Sequence, residues 1–284
     1  MIFVDIFIHG LGWASIYALI AVGFSLIFSA SKIINLCQGE FVILGGLIGV
    51  TLYSLKIPLL FIPLLSALLV GLVGIGLERI AISPAKKASP TSLIIITIAL
   101  STILKSSADL IWGTESYRLP SFFQKGFINI ANTTMDPQYL LIMGVCGVSI
   151  IILTLFLRKT KWGRSLRACS MDPIGARIVG VSPEKMRSIS FFISAGLSGM
   201  MGTLIAPIFF INSEYSLNLG LKGFCAAILG GMGNIPGAIV GGFIIGLSEN
   251  LGAFFFSSYK DIIAPLLMIL VLYFKPRGIM GGRD

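Results

Sequence analysis

The chain has 284 residues, 56% of them hydrophobic and 12% charged, where an ordinary soluble domain carries about 25% charged residues. That balance excludes a soluble globular enzyme and points to a membrane protein. The formal charge of +9 would suit a nucleic-acid partner in a soluble chain, but here the basic residues cluster between apolar segments and no nucleic-acid partner is expected.

In chain order, uncharged windows run over 6–31, 41–55, 57–77, 88–104, 137–157, 188–213, 223–248 and 262–274. A bilayer core takes about 20 apolar helical residues, and these windows reach or approach that length. The expected fold is therefore all-α: a polytopic integral membrane protein with about eight hydrophobic segments, forming one transmembrane domain over 1–284. No Lys or Arg precedes the first apolar run, unlike a cleavable signal, so the first segment reads as a retained span. Cys37, Cys146, Cys169 and Cys225 are far apart and form no C-x-x-C, which suggests neither a disulfide framework nor a metal site.

Charge sets the topology. Residues 158–187 hold Arg158, Lys159, Lys161, Arg164, Arg167, Arg177, Lys185 and Arg187 against Asp172 and Glu184, so the positive-inside rule makes this loop cytoplasmic. Counting back puts Arg79, Lys86, Lys87 and Lys32 inside, with loop 113–137 and the N-terminus outside. Counting forward, Lys275, Arg277 and Arg283 also belong inside, yet three apolar windows intervene. One window must fail to cross singly. The choice is 223–248, where Gly230-Gly231-Met232-Gly233-Asn234-Ile235-Pro236-Gly237 weakens a helix through Gly and removes a backbone donor at Pro. A discontinuous or re-entrant segment there leaves 15 Lys and Arg inside and 5 outside, with Lys105 within a span, against 13 and 7 for three simple crossings. Non-helical backbone at membrane depth survives where protein or a water-filled cavity satisfies it, so the break reads as a pathway or a tightly packed kink. Gly233/Gly237, Gly237/Gly241 and Gly242/Gly246 repeat at the four-residue spacing that permits close helix approach.

Polar groups within apolar sequence are costly and are functional candidates. Asn35, Gln38 and Glu40 fall in the turn between the first two windows, Glu78 and Arg79 end the third, and Lys105 and Asp109 lie four apart on one helix face. Glu249 follows the broken segment as an interfacial cap or a functional group. No catalytic constellation is present: His9 is the only histidine, and neither G-x-S-x-G nor a G-x-x-x-x-G-K-[ST] phosphate loop occurs. The chain reads as a non-enzyme with no cofactor of its own.

The basic loop is far longer than a helix hairpin needs. Asp172-Pro173 is a helix start with Asp as cap and Pro in the first turn, and Gly180 is a stop. A short amphipathic helix over about Pro173 to Val179, with Leu166, Ile174, Ile178 and Val181 as apolar positions, would suit a partner's groove or an anionic lipid surface.

With these residues in view, the chain resembles the membrane permease subunits of ATP-binding-cassette importers for branched-chain amino acids. The likeness lies in Tyr17-Ala18-Leu19-Ile20-Ala21-Val22-Gly23, in Asn35-Leu36-Cys37-Gln38-Gly39-Glu40, in Glu78-Arg79 with Pro84, in Ala226 to Ala238, and in Lys275-Pro276-Arg277-Gly278-Ile279. It departs at Gln38, where the family commonly has His. The resemblance implies a loop that docks on the ATPase, carried by Gly163, Arg164, Arg167, Ala168, Asp172, Ala176 and Gly180. It also implies a multi-pass protein of the bacterial inner membrane, partnered by a second permease, homologous or identical, two cytoplasmic ATP-binding subunits, and a periplasmic or lipid-anchored solute-binding protein. Candidates along the translocation path are Asn35, Gln38, Glu40, Gly233, Asn234, Pro236 and Gly237. Permeases for urea or ribose-type sugars share this architecture, and an ion-coupled carrier using Glu40, Asp109 or Glu249 is the reading from another class.

Overall fold

Apolar windows bounded by Ser-Pro and Asp-Pro dipeptides become helices with defined starts. A computed structural model describes residues 2–85, 88–123, 128–130, 133–255 and 259–281; Lys86, Lys87, Lys125 and Arg283, used in the charge count, lie outside the described residues. The helices are α1 (Ile2–Ser31), α2 (Gln38–Ser54), α3 (Ile62–Leu77) with a π turn at Glu78–Ile82, α4 (Pro90–Trp112), α5 (Pro137–Lys159), α6 (Lys161–Met171), α7 (Pro173–Ile178), α8 (Pro183–Ile205), α9 (Ser216–Gly230), α10 (Ile235–Phe255) and α11 (Lys260–Phe274). The loop before α5 carries a small antiparallel hairpin, β1 (Ile128–Ile130) with β2 (Thr133–Met135), which the apolar periodicity does not foretell. Ser89, Asp136, Asp172 and Ser182 each cap a helix whose first residue is Pro, so one exposed N–H is capped and another is absent by chemistry.

Helix α1 is the axis of the bundle. Its residues 16–22 are all buried, and α5, α8, α9 and α10 pack around it, with α2 touching it more lightly. Small residues set these distances. Gly242 and Gly246 of α10 lie directly on Ala18 and Ala14 of α1, Gly241 lies on the Ala226 carbonyl of α9, and Gly45 and Gly202 bring α2 and α8 into backbone contact. A side chain at any of these points would push two helices apart, which is the physical use of the Gly spacing. Helices α3, α4, α5 and α11 are peripheral and turn Leu68, Ile103, Ile151 and Ile269 outward, as hydrocarbon-facing helices do.

Among the described residues six helices are long and apolar enough to cross a membrane: α1, α3, α4, α5, α8 and α10. Helices α2, α9 and α11 have 17, 15 and 15 residues. The eight windows thus fall on nine apolar helices among the described residues, because window 223–248 covers the end of α9 and the start of α10. Helix α9 escapes the window count because Lys222, which the charge count assigns to an outer loop, lies in its middle and is buried.

The break lies within the run 230–237, as the sequence reading has it, but its depth is a correction. Residues 231–234 form a turn with Gly231 at φ +108° and Gly233 at φ +88°, conformations that glycine adopts without a Cβ clash. The turn sits at the end of the bundle that carries the basic loop, not at membrane depth. Gly233 packs on Phe28 and Ser29 near the end of α1, and Ser29 Oγ donates to Ser170 Oγ of α6 at 2.9 Å. The C-terminal segment closes over it: Ile279 N–H donates to the Leu229 carbonyl at 2.9 Å and Met280 N–H to that of Gly230 at 3.0 Å. Window 223–248 is therefore a hairpin, which returns residues 275–281 to the basic-loop end and resolves the parity problem. Irregular backbone inside the bundle occurs elsewhere, at 32–37 and 206–215, where Cys37 and Ile211 are fully buried.

Candidate functional site

The basic loop folds as two short helices. Thr160 caps α6 and accepts from Gly163 N–H at 3.0 Å, while Gly163 lies so close to the Phe156 carbonyl that no side chain fits. Asp172 caps α7, accepting from Ile174 N–H at 2.9 Å, and Gly180 at φ +83° stops the chain just beyond it. Leu166, Cys169 and Ala176 face inward and are buried. Ile174 and Ile178 are 75% and 82% exposed, beside Met171 and Val179, so α7 displays an apolar ridge that nothing among the described residues covers. The loop is tied to the bundle by a buried cluster in which Arg187 Nε donates to Glu78 Oε1 at 2.5 Å and Ser188 Oγ to Oε2 at 2.6 Å.

The turn before α2 forms a second polar region. Gln38 is fully buried; its Nε2 donates to Ser198 Oγ at 2.6 Å, and its Oε1 accepts from Ser194 Oγ at 3.1 Å. Gly23 of α1 leaves the space that the amide fills. Asn35 accepts from Cys37 N–H at 3.3 Å and bends the chain into α2 as an Asx turn. Glu40 shares a small void with Lys105, Ala108 and Ser216. The structure thus brings Asn35, Gln38 and Glu40 together, and separates them from Gly233, Asn234, Pro236 and Gly237 at the basic-loop end. Those four stand next to the loop instead: one groove is lined by Arg167, Ser170, Met171, Gly233, Asn234 and Pro236.

A third region is only partly visible in an apolar-window reading, which singles out Glu249 alone. Lys222 of α9 forms ion pairs with Glu249 of α10 and, at 2.7 Å, with Asp261 of α11. Lys222 and Glu249 are each only 8% exposed. The Lys222 ammonium also lies 5.8 Å from the Tyr17 ring centroid of α1. Tyr17 is fourteen residues before the end of α1 and Glu249 fourteen after the start of α10; at 1.5 Å per residue both are about 21 Å from the basic-loop end. In a hydrocarbon core of about 30 Å this is the half of the membrane away from that loop. In the sequence Glu249 alone stood out; Lys222 and Asp261 gain meaning once α9, α10 and α11 are known to be neighbours.

The model of the family described as "Branched-chain amino acid transport system / permease component" matches residues 6–272. The chain belongs to this permease family. Its relatives include the high-affinity branched-chain amino acid transport permease LivH of Salmonella typhimurium, 30% identical over 96% of this chain and 94% of that protein. The permease BraD of Pseudomonas aeruginosa has the same identity and coverage. LivM of Escherichia coli, another permease protein of a high-affinity branched-chain amino acid system, is 29% identical over 54% of this chain and 38% of its own length.

The family is one of transporter permeases, and the chain is a multi-pass protein of the inner membrane. In such a permease the three regions have distinct chemical capacities. The α7 ridge can seat in a partner's groove, the Gln38 network locks α1, α2 and α8 together, and the Lys222 cluster holds charge at membrane depth.

Proposed function

We propose that the chain is the membrane-spanning permease subunit of an ATP-binding-cassette importer and passes branched-chain, hydrophobic amino acids inward across the inner membrane. The observation that carries this reading is the family match over residues 6–272. The geometry supports it through the loop 158–187, whose α7 presents Ile174 and Ile178 to solvent on a basic surface. On this reading the loop is cytoplasmic and seats in one of two ATP-binding subunits, with Gly163, Arg164, Arg167, Ala168, Asp172, Ala176 and Gly180 building and flanking the docking helix. A second permease subunit, of this chain or a homologue, completes the pathway, and an external solute-binding protein delivers the amino acid. The chain performs no chemistry itself: ATP-driven movement of α6 and α7 is passed to α3 and α8 through the Glu78–Arg187–Ser188 cluster. Asn35, Gln38 and Glu40 stand where helix motion would open or close the bundle, and Gly233, Asn234, Pro236 and Gly237 form the hinge beside the loop.

The test is reconstitution. The complex purified through a tag on this chain should contain ATP-binding subunits, and proteoliposomes holding it should take up labelled leucine only with ATP and the solute-binding protein. Uptake driven by an ion gradient without an ATPase would replace this reading with that of a secondary carrier.

A further inference from the structure

The Lys222 cluster lines a cavity of about 180 Å³. A water needs roughly 10–15 Å³ on this measure, so there is room for a small organic molecule. One wall is aromatic: Trp13 and Phe209 meet edge to face at 6.0 Å, and Phe209 and Tyr215 at 4.9 Å. The other is ionic, with Lys222, Glu249 and Asp261. Phe209 and Tyr215 come from the irregular stretch 206–215, and non-helical backbone at this depth is tolerated where it lines a cavity. Two observations mark the ionic wall as more than a packing device. Glu249, 8% exposed, accepts from Lys222 through Oε1 and keeps Oε2 without a well-formed hydrogen bond, with the Tyr17 phenol beside the carboxylate, and a buried carboxylate oxygen that lacks a well-placed donor is costly. Asp261, by contrast, has a half-exposed side chain, so the cluster is open on that side.

We infer that this cavity is a transient site for a zwitterionic α-amino acid with an apolar side chain, which inserts between Lys222 and Glu249. The α-carboxylate takes the Lys222 ammonium, the α-ammonium takes Glu249 with Asp261 at the mouth, and the side chain lies against Trp13, Phe209 and Tyr215. The selectivity follows from charge pairing. Opening a buried ion pair is unfavourable because each partner loses its counter-charge. A zwitterion restores a counter-charge to both at once. A simple anion takes Lys222 and leaves Glu249 buried and unpaired, while a simple cation takes Glu249 and leaves Lys222 with Asp261 at the half-exposed mouth as its one counter-charge. The inference rests on the permease reading, and it adds a site within the subunit itself that senses both charged groups of the solute.

The experiment is saturation-transfer NMR on the complex purified through this chain, without solute-binding protein, using leucine, isopentylamine and 4-methylpentanoate as three separate probes. Leucine should give a saturable signal on its methyl protons, and each analogue, lacking one charged group, should bind at least about tenfold more weakly. In a Lys222→Met/Glu249→Met variant the pair is replaced by apolar side chains of similar length, an exchange that leaves packing intact in other proteins. It should assemble in wild-type yield yet lose the leucine signal and at least about tenfold of the uptake rate. Equal signals from the three probes, no leucine signal above that of the double variant, or wild-type uptake by that variant overturns the inference. If the double variant does not assemble, the three-probe comparison on the unmutated complex decides. Should no ATPase co-purify, the same titration on the chain alone in nanodiscs still tests the site, so failure of the permease reading and failure of this one are separable.

Discussion

At the scale of single residues, the buried polar groups divide by what they touch. Glu78 is 1% exposed and shares its oxygens between Arg187 and Ser188. Glu78→Ala would leave the Arg187 guanidinium buried without its counter-charge, which costs about 3–5 kcal/mol. The expected result is a sharp fall in thermal midpoint in detergent, measured by an assay of unfolding. Glu78→Leu/Arg187→Leu should recover most of the loss, because removing both charges removes the unpaired one; its failure to do so would mean that packing, not charge, holds the loop. Gln38 was legible as a polar residue in apolar sequence, but its partners Ser194 and Ser198 lie more than 150 residues away. No local pattern could join them.

At the scale of elements, α7 separates docking from folding. Ala176 is 4% exposed, while Ile174 and Ile178 point outward. Ala176→Asp would bury a carboxylate and unfold the loop, so it cannot test docking. Ile174→Asp/Ile178→Asp should leave expression and membrane insertion unchanged and abolish co-purification of the ATP-binding subunits in a pull-down through this chain. Retained co-purification would move the docking surface elsewhere. The helix crossings give a second prediction. Gly202 meets the Val42 carbonyl of α2, whereas Gly144 of α5 has no neighbour within 4 Å. Gly202→Val should therefore prevent recovery of folded protein in size-exclusion chromatography, and Gly144→Val should change stability by no more than about 0.5 kcal/mol.

At the scale of the whole molecule, the α9–α10 hairpin fixes the topology. Met171 is 88% exposed at the basic-loop end, and Glu115 is exposed in the loop after α4 at the other end. With the four native cysteines replaced by Ala, Glu115→Cys should react with a membrane-impermeant maleimide in intact cells. Met171→Cys and Met280→Cys should react only after permeabilisation. Labelling of Met280→Cys from outside would refute the hairpin, since Met280 is hydrogen-bonded to Gly230 and Asn234 at the base of that turn.

The sequence by itself determined what depends on local composition: an all-helical membrane chain, the basic loop with its Asp172-Pro173 start and Gly180 stop, and the need for one window to turn back. Each follows from hydropathy, charge sorting and capping chemistry, which act over a few residues or a single span. The depth at which the window turned back, and what surrounds the charges, only the tertiary structure decided. The run 230–237 reads as a break at membrane depth because its flanks are apolar, but the depth of a turn is set by where its two helices begin. Helix α9 was hidden because Lys222 interrupts the apolar run. A lysine is tolerated there only because α10 and α11 bring Glu249 and Asp261 to it from 27 and 39 residues away, and the desolvation of a charge is offset by partners that no linear window contains.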